Sequence, residues 1–226
     1  MPDHDDDDMT IIPRHDDDAM PTSRPVRLHP MTLDEYLELD EDVRRSSEIV
    51  EGSLVPREPR ERPHQKTAFR LANAFEAAVL KYRSAHSGST APCYEVNTEV
   101  PLQLWEVPLT IRIPDAIVHR CREQFERLDA ADAIIIAEVI SRWSQSRDRI
   151  HKMGEYAKSG IPHYLIVQFD ERGATIVEHY ALMSPDHLTY SQISVNHRDR
   201  DIWALNISIP FDIQISWQEL DIILPS

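Results

Sequence analysis

The stretch Ala133–Ser141, A-I-I-I-A-E-V-I-S, decides the fold. A short run of Ile and Val at this length predicts a strand covered on both faces. Such a strand has no natural place for a carboxylate, because an ionised group taken out of water needs a partner. Glu138 must therefore reach solvent at the strand end, pair with a base, or bind a metal.

Two neighbouring stretches could supply its company. Upstream, Ile111–His119 reads I-R-I-P-D-A-I-V-H, an apolar segment with a Pro-Asp step at Pro114–Asp115. Downstream, Arg147–Ser159 reads R-D-R-I-H-K-M-G-E-Y-A-K-S and predicts a helix carrying Lys152. An acid in one strand, an acid in the next and a lysine on the following helix suit metal-assisted phosphodiester hydrolysis. Two carboxylates can hold a hard cation such as Mg²⁺. The cation polarises a phosphoryl oxygen and acidifies water, and an ammonium offsets the developing negative charge.

Length and composition bound the rest. The chain has 226 residues, enough for one domain with a sizeable core and a tail. Hydrophobic residues make up 41% and charged residues 28%, the balance of an ordinary soluble protein. No apolar run of roughly 18 residues occurs, so no membrane helix is expected. The acidic N-terminus lacks a signal-peptide core, which predicts a cytoplasmic protein. Cys93 and Cys121 have no C-x-x-C spacing and read as free thiols in a reducing compartment. The net charge is -15. The first 30 residues hold eight Asp and three Arg, a charge of -5, which leaves -10 for the rest. An acidic body argues against a general nucleic-acid binder, since phosphate contacts need Lys and Arg. A nuclease with a local basic patch and a bound metal remains compatible with it.

In chain order, residues 1–30 carry two aspartate runs and scattered prolines, and predict a disordered acidic tail ahead of a domain over 31–226. Thr32–Leu39 predicts a short helix, with Thr32 and Glu35 as a capping box. Glu48–Val55 predicts two short strands around a turn at Glu51-Gly52. Glu48 is either a third acid for the site or an ordinary strand charge. Arg57, Arg60 and Arg62 lie in a proline-rich loop, as a phosphate-contacting lip or as solvated side chains. His64–Arg83 predicts a long helix, with Ala68, Leu71, Ala72, Phe75, Ala78, Val79 and Tyr82 on its apolar face. His64, at its start, can cap, orient substrate or face solvent. Strands are predicted over Glu95–Leu104, 111–119, 133–141, Pro162–Asp170, Thr175–Leu182, His187–Ser194 and Ile202–Ile207. A helical link is predicted over Arg120–Ala131, and a short closing helix over Ser216–Ile222. The result is a mixed α/β sheet with a long helix on one face.

With these pieces in order, the chain resembles the Uma2 family, long called DUF820, a branch of the PD-(D/E)XK nuclease superfamily. M-T-L-D-E-Y-L at Met31–Leu37 is similar to the family's opening, and E-I-V-E-G-S-L-V at Glu48–Val55 to its E-L-I-D-G-E-L-V. His64-Gln65 matches its H-Q, Pro114-Asp115 its P-D, and Ala137–Ser141 its V-E-V-L-S. Arg147-Asp148, Lys152, Tyr156-Ala157, Gly160-Ile161-Pro162 and Tyr164–Val167 follow its R-D-x-x-x-K-x-x-x-Y-A-x-x-G-V-x-x-Y-W-I-V-D. The resemblance runs from Met31 to the C-terminus. It implies an α/β fold with a restriction-endonuclease-like mixed β-sheet core flanked by helices. It implies Mg²⁺, or Mn²⁺ in its place, on Asp115 and Glu138, with Lys152, Glu48 and His64 as catalytic residues. In the superfamily the lysine usually lies two residues after the second acid. Ile140 holds that position here, so the role passes to Lys152. Asp148 and Tyr156 lie one turn to either side of Lys152 and would support it.

The chain departs from the family after the strand. Where S-P-S is usual, Ser141 is followed by Arg142 and Trp143. These two can grip phosphate and stack on a base, or Trp143 can bury in the core. With Arg147 they are the substrate-contacting candidates. The expected activity is an endonuclease acting on DNA, and a homodimer follows if both strands are cut. The competing readings are a non-catalytic nucleic-acid-binding or regulatory protein on the same fold, and a hydrolase of small phosphodiesters.

Overall fold

A computed structural model describes residues 29–88, 90–123, 126–141, 146–184 and 188–223, the side chains of 146–149 excepted. The elements in chain order begin with α1 (Leu33–Leu37), α2 (Glu41–Ser46), β1 (Ser47–Val50), β2 (Ser53–Pro56) and α3 (Arg62–Ala85). Then come β3 (Tyr94–Asn97), β4 (Leu102–Trp105), β5 (Thr110–Arg112), β6 (Ala116–Arg120), β7 (Leu128–Asp129), β8 (Ala133–Ser141) and α4 (Ser146–Lys158). The chain continues through β9 (His163–Asp170), β10 (Gly173–Ala181), β11 (Ser191–His197), β12 (Trp203–Ile207), β13 (Ile213–Ser216) and a 3-10 turn at Gln218–Leu220.

The strands form a six-stranded mixed sheet in the order β11-β10-β9-β8-β6-β3 and a five-stranded sheet in the order β2-β1-β5-β4-β7, with β12 and β13 as a separate pair. The decisive strand β8 lies inside the larger sheet, antiparallel to β6 and parallel to β9. That parallel pair needs a crossover, and α4 supplies it. Helix α3 covers one face of this sheet. Leu71, Phe75 and Val79 bury there against Val118, Ile135, Leu165 and Val167. Each such side chain contributes roughly 1.5–3 kcal/mol by leaving water. On the opposite face, Ile136 and Ile166 pack with Tyr156 of α4 and with Tyr164.

Local signals held where the contacts are local. Thr32 and Glu35 form the capping box of α1. Glu51 and Gly52 both adopt positive φ, 49° and 76°, and make the tight hairpin between β1 and β2. A side chain at Gly52 would run into Pro30 and the backbone of Met31.

Five expectations need correction. Glu95–Leu104 is not one strand: β3 joins the large sheet and β4 the small one, with Glu99 at φ 52° in the break. Ile111–His119 likewise splits into β5 and β6 at Pro114–Asp115, where proline cannot donate to a ladder. The described part of Arg120–Ala131 contains β7 and no helix, and the closing helix is a single 3-10 turn, although Ser216 does bond to Glu219 at 2.7 Å. Finally, Cys93 and Cys121 are not free thiols. They form a disulfide with Cα atoms 5.3 Å apart, because the pairing of Tyr94 with Arg120 brings the flanking cysteines together. Of the acidic tail expected over residues 1–30, residues 1–28 lie outside the described residues.

Candidate active site

The two sheets share a corner. The chain crosses from one to the other between β3 and β4 and again between β5 and β6, and Glu99 N–H donates to Pro114 O at 3.1 Å to tie the crossings together. Asp115 occupies this corner, fully buried. Its Oδ2 accepts the Val139 N–H of β8 at 2.7 Å, so the Pro-Asp step is stitched to the strand that carries Glu138.

Alternation along β8 turns Ala137 and Val139 toward α3 and Glu138 toward the other face, where α4 lies. Lys152 and Tyr156, one turn apart on α4, both reach the Glu138 carboxylate. Lys152 Nζ stands 3.2 Å from Oε1, and the Tyr156 hydroxyl donates to the same oxygen at 2.8 Å. Glu138 is 4% exposed and Lys152 6%. Burial pushes the Glu138 carboxyl above its ordinary value. The Asp115 and Glu48 charges add to the rise, and Lys152 and the Tyr156 hydroxyl only partly oppose it. The expected support of Lys152 by Tyr156 is therefore indirect, since both hold the same carboxylate. Burial and the Glu138 charge push the Tyr156 hydroxyl well up, so it stays a donor.

Glu48 comes from the smaller sheet and is buried beside them. Its Oε2 accepts Arg112 Nη1 at 2.7 Å and its Oε1 accepts the Ile113 N–H at 3.1 Å, with Lys152 Nζ 3.4 Å away. Burial alone would raise its carboxyl, but Lys152, Arg112 and the Ile113 N–H outweigh that and hold it low. Arg112 also grips Glu155 of α4 with two bonds, 2.7 and 3.0 Å. This guanidinium joins the small sheet to the helix that carries Lys152. Arg112 and Glu155 were not among the sequence candidates. The signal available was a charge between Ile111 and Ile113 in an apolar strand, the same oddity that singled out Glu138.

His64 lies on the buried face of α3, in line with Ala68, Leu71 and Phe75. Its Nε2 is 3.1 Å from Asp115 Oδ2, in contact but off hydrogen-bond alignment, and its ring meets Phe169 edge-on at 5.9 Å. Arg60 and Arg57 fold inward onto Asp115 Oδ1, at 3.3 and 3.9 Å, so neither extends into solvent as a lip. Burial would raise the Asp115 carboxyl, yet His64, Arg60 and the Val139 N–H hold it below its ordinary value. Asp115, Glu138, Lys152, Glu48, His64 and Tyr156 thus come together. Arg142 and Trp143 lie outside the described residues. Arg147 and Asp148 fall within α4, but their side chains lie outside them too.

No group of three or more His, Cys, Asp or Glu side chains arranged to hold a metal ion occurs among the described residues. Two carboxylates are nevertheless a sufficient protein share for Mg²⁺, which keeps several waters and takes further oxygens from phosphate. Asp115 Oδ1 is buried and accepts no hydrogen bond, so it retains lone pairs for such a cation. The oxygen donor set fits a hard divalent ion.

The family model Uma2, described as "Putative restriction endonuclease", matches residues 33–218. Among solved structures, the "crystal structure of a putative nuclease belonging to DUF820 from Anabaena variabilis ATCC 29413" matches with a TM-score of 0.55 and 17% identity. The match covers 80% of this chain and 90% of that one, and at this identity it speaks for the fold. No curated protein matches the chain.

Proposed function

The chain belongs to the Uma2 family, a nuclease family with a restriction-endonuclease-like fold, and from that premise we propose that it is a Mg²⁺-dependent endonuclease that hydrolyses DNA. One observation carries the reading: Lys152 Nζ stands 3.2 Å from Glu138, inside a buried group that also holds Asp115 and Glu48. Buried charge of this density costs stability and needs a reason beyond folding.

Asp115 and Glu138 would hold the cation, Mg²⁺ or Mn²⁺. Bound there, it would polarise the phosphoryl oxygen and acidify water. Tyr156 holds the Glu138 carboxylate in place through its hydroxyl. Lys152 supplies the ammonium that offsets charge developing on the phosphoryl group. Glu48 balances Lys152 and Arg112 so that the ammonium stays in the site. His64 flanks Asp115, with its Nε2 3.1 Å from Oδ2. Arg142, Trp143 and Arg147 would contact the nucleic acid, with Asp148 supporting Lys152. The same reading takes residues 1–30 as an acidic arm on a domain over 31–226. It also expects a homodimer that cuts both strands, while the Cys93–Cys121 disulfide speaks against the reducing cytoplasm that the sequence predicted.

The test is cleavage of supercoiled plasmid DNA with Mg²⁺ or Mn²⁺ by the wild type, Asp115→Ala and Glu138→Ala. Metal-dependent nicking lost in both variants is the expected result. Nicking that survives Glu138→Ala would remove this site from the reaction. An inactive wild type that still binds DNA without metal would favour a non-catalytic binding protein on the same fold.

A further inference from the structure

Buried polar side-chain atoms without a hydrogen-bond partner are rare in folded proteins, and each needs a reason. Among the described residues there are seven, and five of them gather at one place: Nε of Arg57, Nε of Arg60, both ring nitrogens of His64, and Asp115 Oδ1. Arg57 Nη2 has partners in Glu99 Oε1 at 3.2 Å and Ile113 O at 3.5 Å. Arg60 reaches Asp115 Oδ1 only at 3.3 Å, as an ion pair without hydrogen-bond alignment. One carboxylate cannot satisfy two guanidinium groups and an imidazole. The cluster therefore has donors to spare, and Asp115 Oδ1 meets the guanidinium groups by charge without an aligned hydrogen bond.

We propose that Arg57, Arg60 and His64 form a cradle for a phosphate group of the nucleic-acid substrate, and that this phosphate and the divalent cation bind cooperatively. The inference rests on the nuclease reading above and names the part of that site that takes the phosphate. A dication at Asp115 Oδ1 would stand where the two guanidinium groups now approach. Like charges that close repel, so the arginines must turn away from the carboxylate as the cation arrives. Their planar forks suit phosphate oxygens in a bidentate manner, and a phosphate beside the cation gives them a new partner. Without phosphate the arginines compete with the cation for Asp115. With phosphate they cease to compete. By linkage, each ligand then tightens the other by the same factor.

The test is calorimetry on the full chain, titrating Mg²⁺, thymidine 5′-monophosphate and inorganic phosphate, each alone and with the other ligand present. The variants are R57Q/R60Q and R57K/R60K, with circular dichroism and the thermal midpoint as controls for folding. The acidic tail contributes equally to all three proteins. In the wild type, saturating nucleotide should tighten Mg²⁺ roughly tenfold, within the usual range of coupling between sites. R57Q/R60Q should bind nucleotide about tenfold or more weakly, from loss of charge-assisted hydrogen bonds, and should bind Mg²⁺ alone more tightly. R57K/R60K keeps the charge and loses the fork, so nucleotide binding should fall while Mg²⁺ binding stays near wild type. Inorganic phosphate bound as well as the nucleotide would assign the cradle to the phosphate alone, as proposed.

Unchanged nucleotide affinity in R57Q/R60Q would overturn the cradle. Mg²⁺ bound more weakly by that folded variant would overturn the competition and leave the arginines as structural supports of Asp115. Absence of coupling in the wild type would overturn the cooperativity. Coupling without any DNA cleavage would sink the nuclease reading and spare the cradle. Cleavage with no phosphate effect would do the reverse.

Discussion

Replacing Lys152 with methionine keeps most of the side-chain volume and removes the charge between Glu138 and Glu48. The ammonium lies 3.2 Å from one carboxylate and 3.4 Å from the other, and all three groups are at least nine-tenths buried. Breaking a buried ion pair by removing one partner costs about 3–5 kcal/mol. The two carboxylates do not share that cost equally. Glu48 keeps Arg112 and the Ile113 N–H. Glu138 loses its cation and keeps the Tyr156 hydroxyl. Its carboxyl already titrates above the ordinary value, and without Lys152 it should rise further and take up a proton. A carboxyl whose pKa is raised on folding favours the folded state below its unfolded value, and that advantage is lost as pH rises through the folded one. Every further tenfold loss of acidity costs about 1.4 kcal/mol once the pH exceeds the new folded value. Lys152→Met should thus be destabilised by about 3 kcal/mol at pH 8 and by about 1 kcal/mol at pH 5, the remainder being lost packing. Urea unfolding of the wild type and variant at both pH values measures this. Glu138→Gln in the same background should recover most of the loss at pH 8. A penalty that does not change with pH, or a double variant no more stable than the single one, would refute the linkage of Lys152 to Glu138.

The raised Glu138 carboxyl also sets a pH dependence for metal binding. Its proton must leave before a cation binds, so Mg²⁺ affinity by calorimetry should climb with pH until Glu138 has titrated, by up to about tenfold for each step of one in pH. Affinity that does not rise with pH would exclude Glu138 as a ligand. Arg112→Met leaves Glu48 with Lys152 and the Ile113 N–H alone and frees Glu155, and should cost about 3–5 kcal/mol in urea unfolding. A loss under about 1 kcal/mol would mean that the guanidinium does not bind α4 to the small sheet. The Cys93–Cys121 bridge closes a separation of 28 residues. Its removal in a double alanine variant should cost about 3–4 kcal/mol by the loop-entropy relation, visible as a lower thermal midpoint. Equal midpoints, with the wild type verified as oxidised, would refute this.

The elements that were legible in the sequence are those whose information is local. The apolar run Ala133–Ser141, the stripe from Ala68 to Val79, the Thr32–Glu35 box and the Glu51-Gly52 turn each depend on backbone geometry within a few residues. Asp115 and Glu138 could be singled out because each is an acid in an apolar run, whereas Lys152, in a polar helix, was reached only by chain order and the family resemblance. The pairing of charges across the fold was not legible. Glu48 meets Arg112 across 64 residues, and Arg112 meets Glu155 across 43. Nothing in either segment names its partner. The inward turn of Arg57 and Arg60 is of the same kind, since a proline-rich loop reads as solvated until Asp115 is seen behind it.

The sequence by itself determined the strongest periods and the odd charges: the buried strand at Ala133–Ser141, the apolar face of the long helix, and which acids have no ordinary reason to be there. Only the tertiary structure decided that two apparent strands each divide between two sheets, that the resulting corner carries Asp115, and that Cys93 and Cys121 meet. The physical reason is that alternation and helical spacing constrain one element at a time. Sheet membership, register and buried ion pairs are free-energy choices among distant segments, and they are settled only when those segments exclude water together.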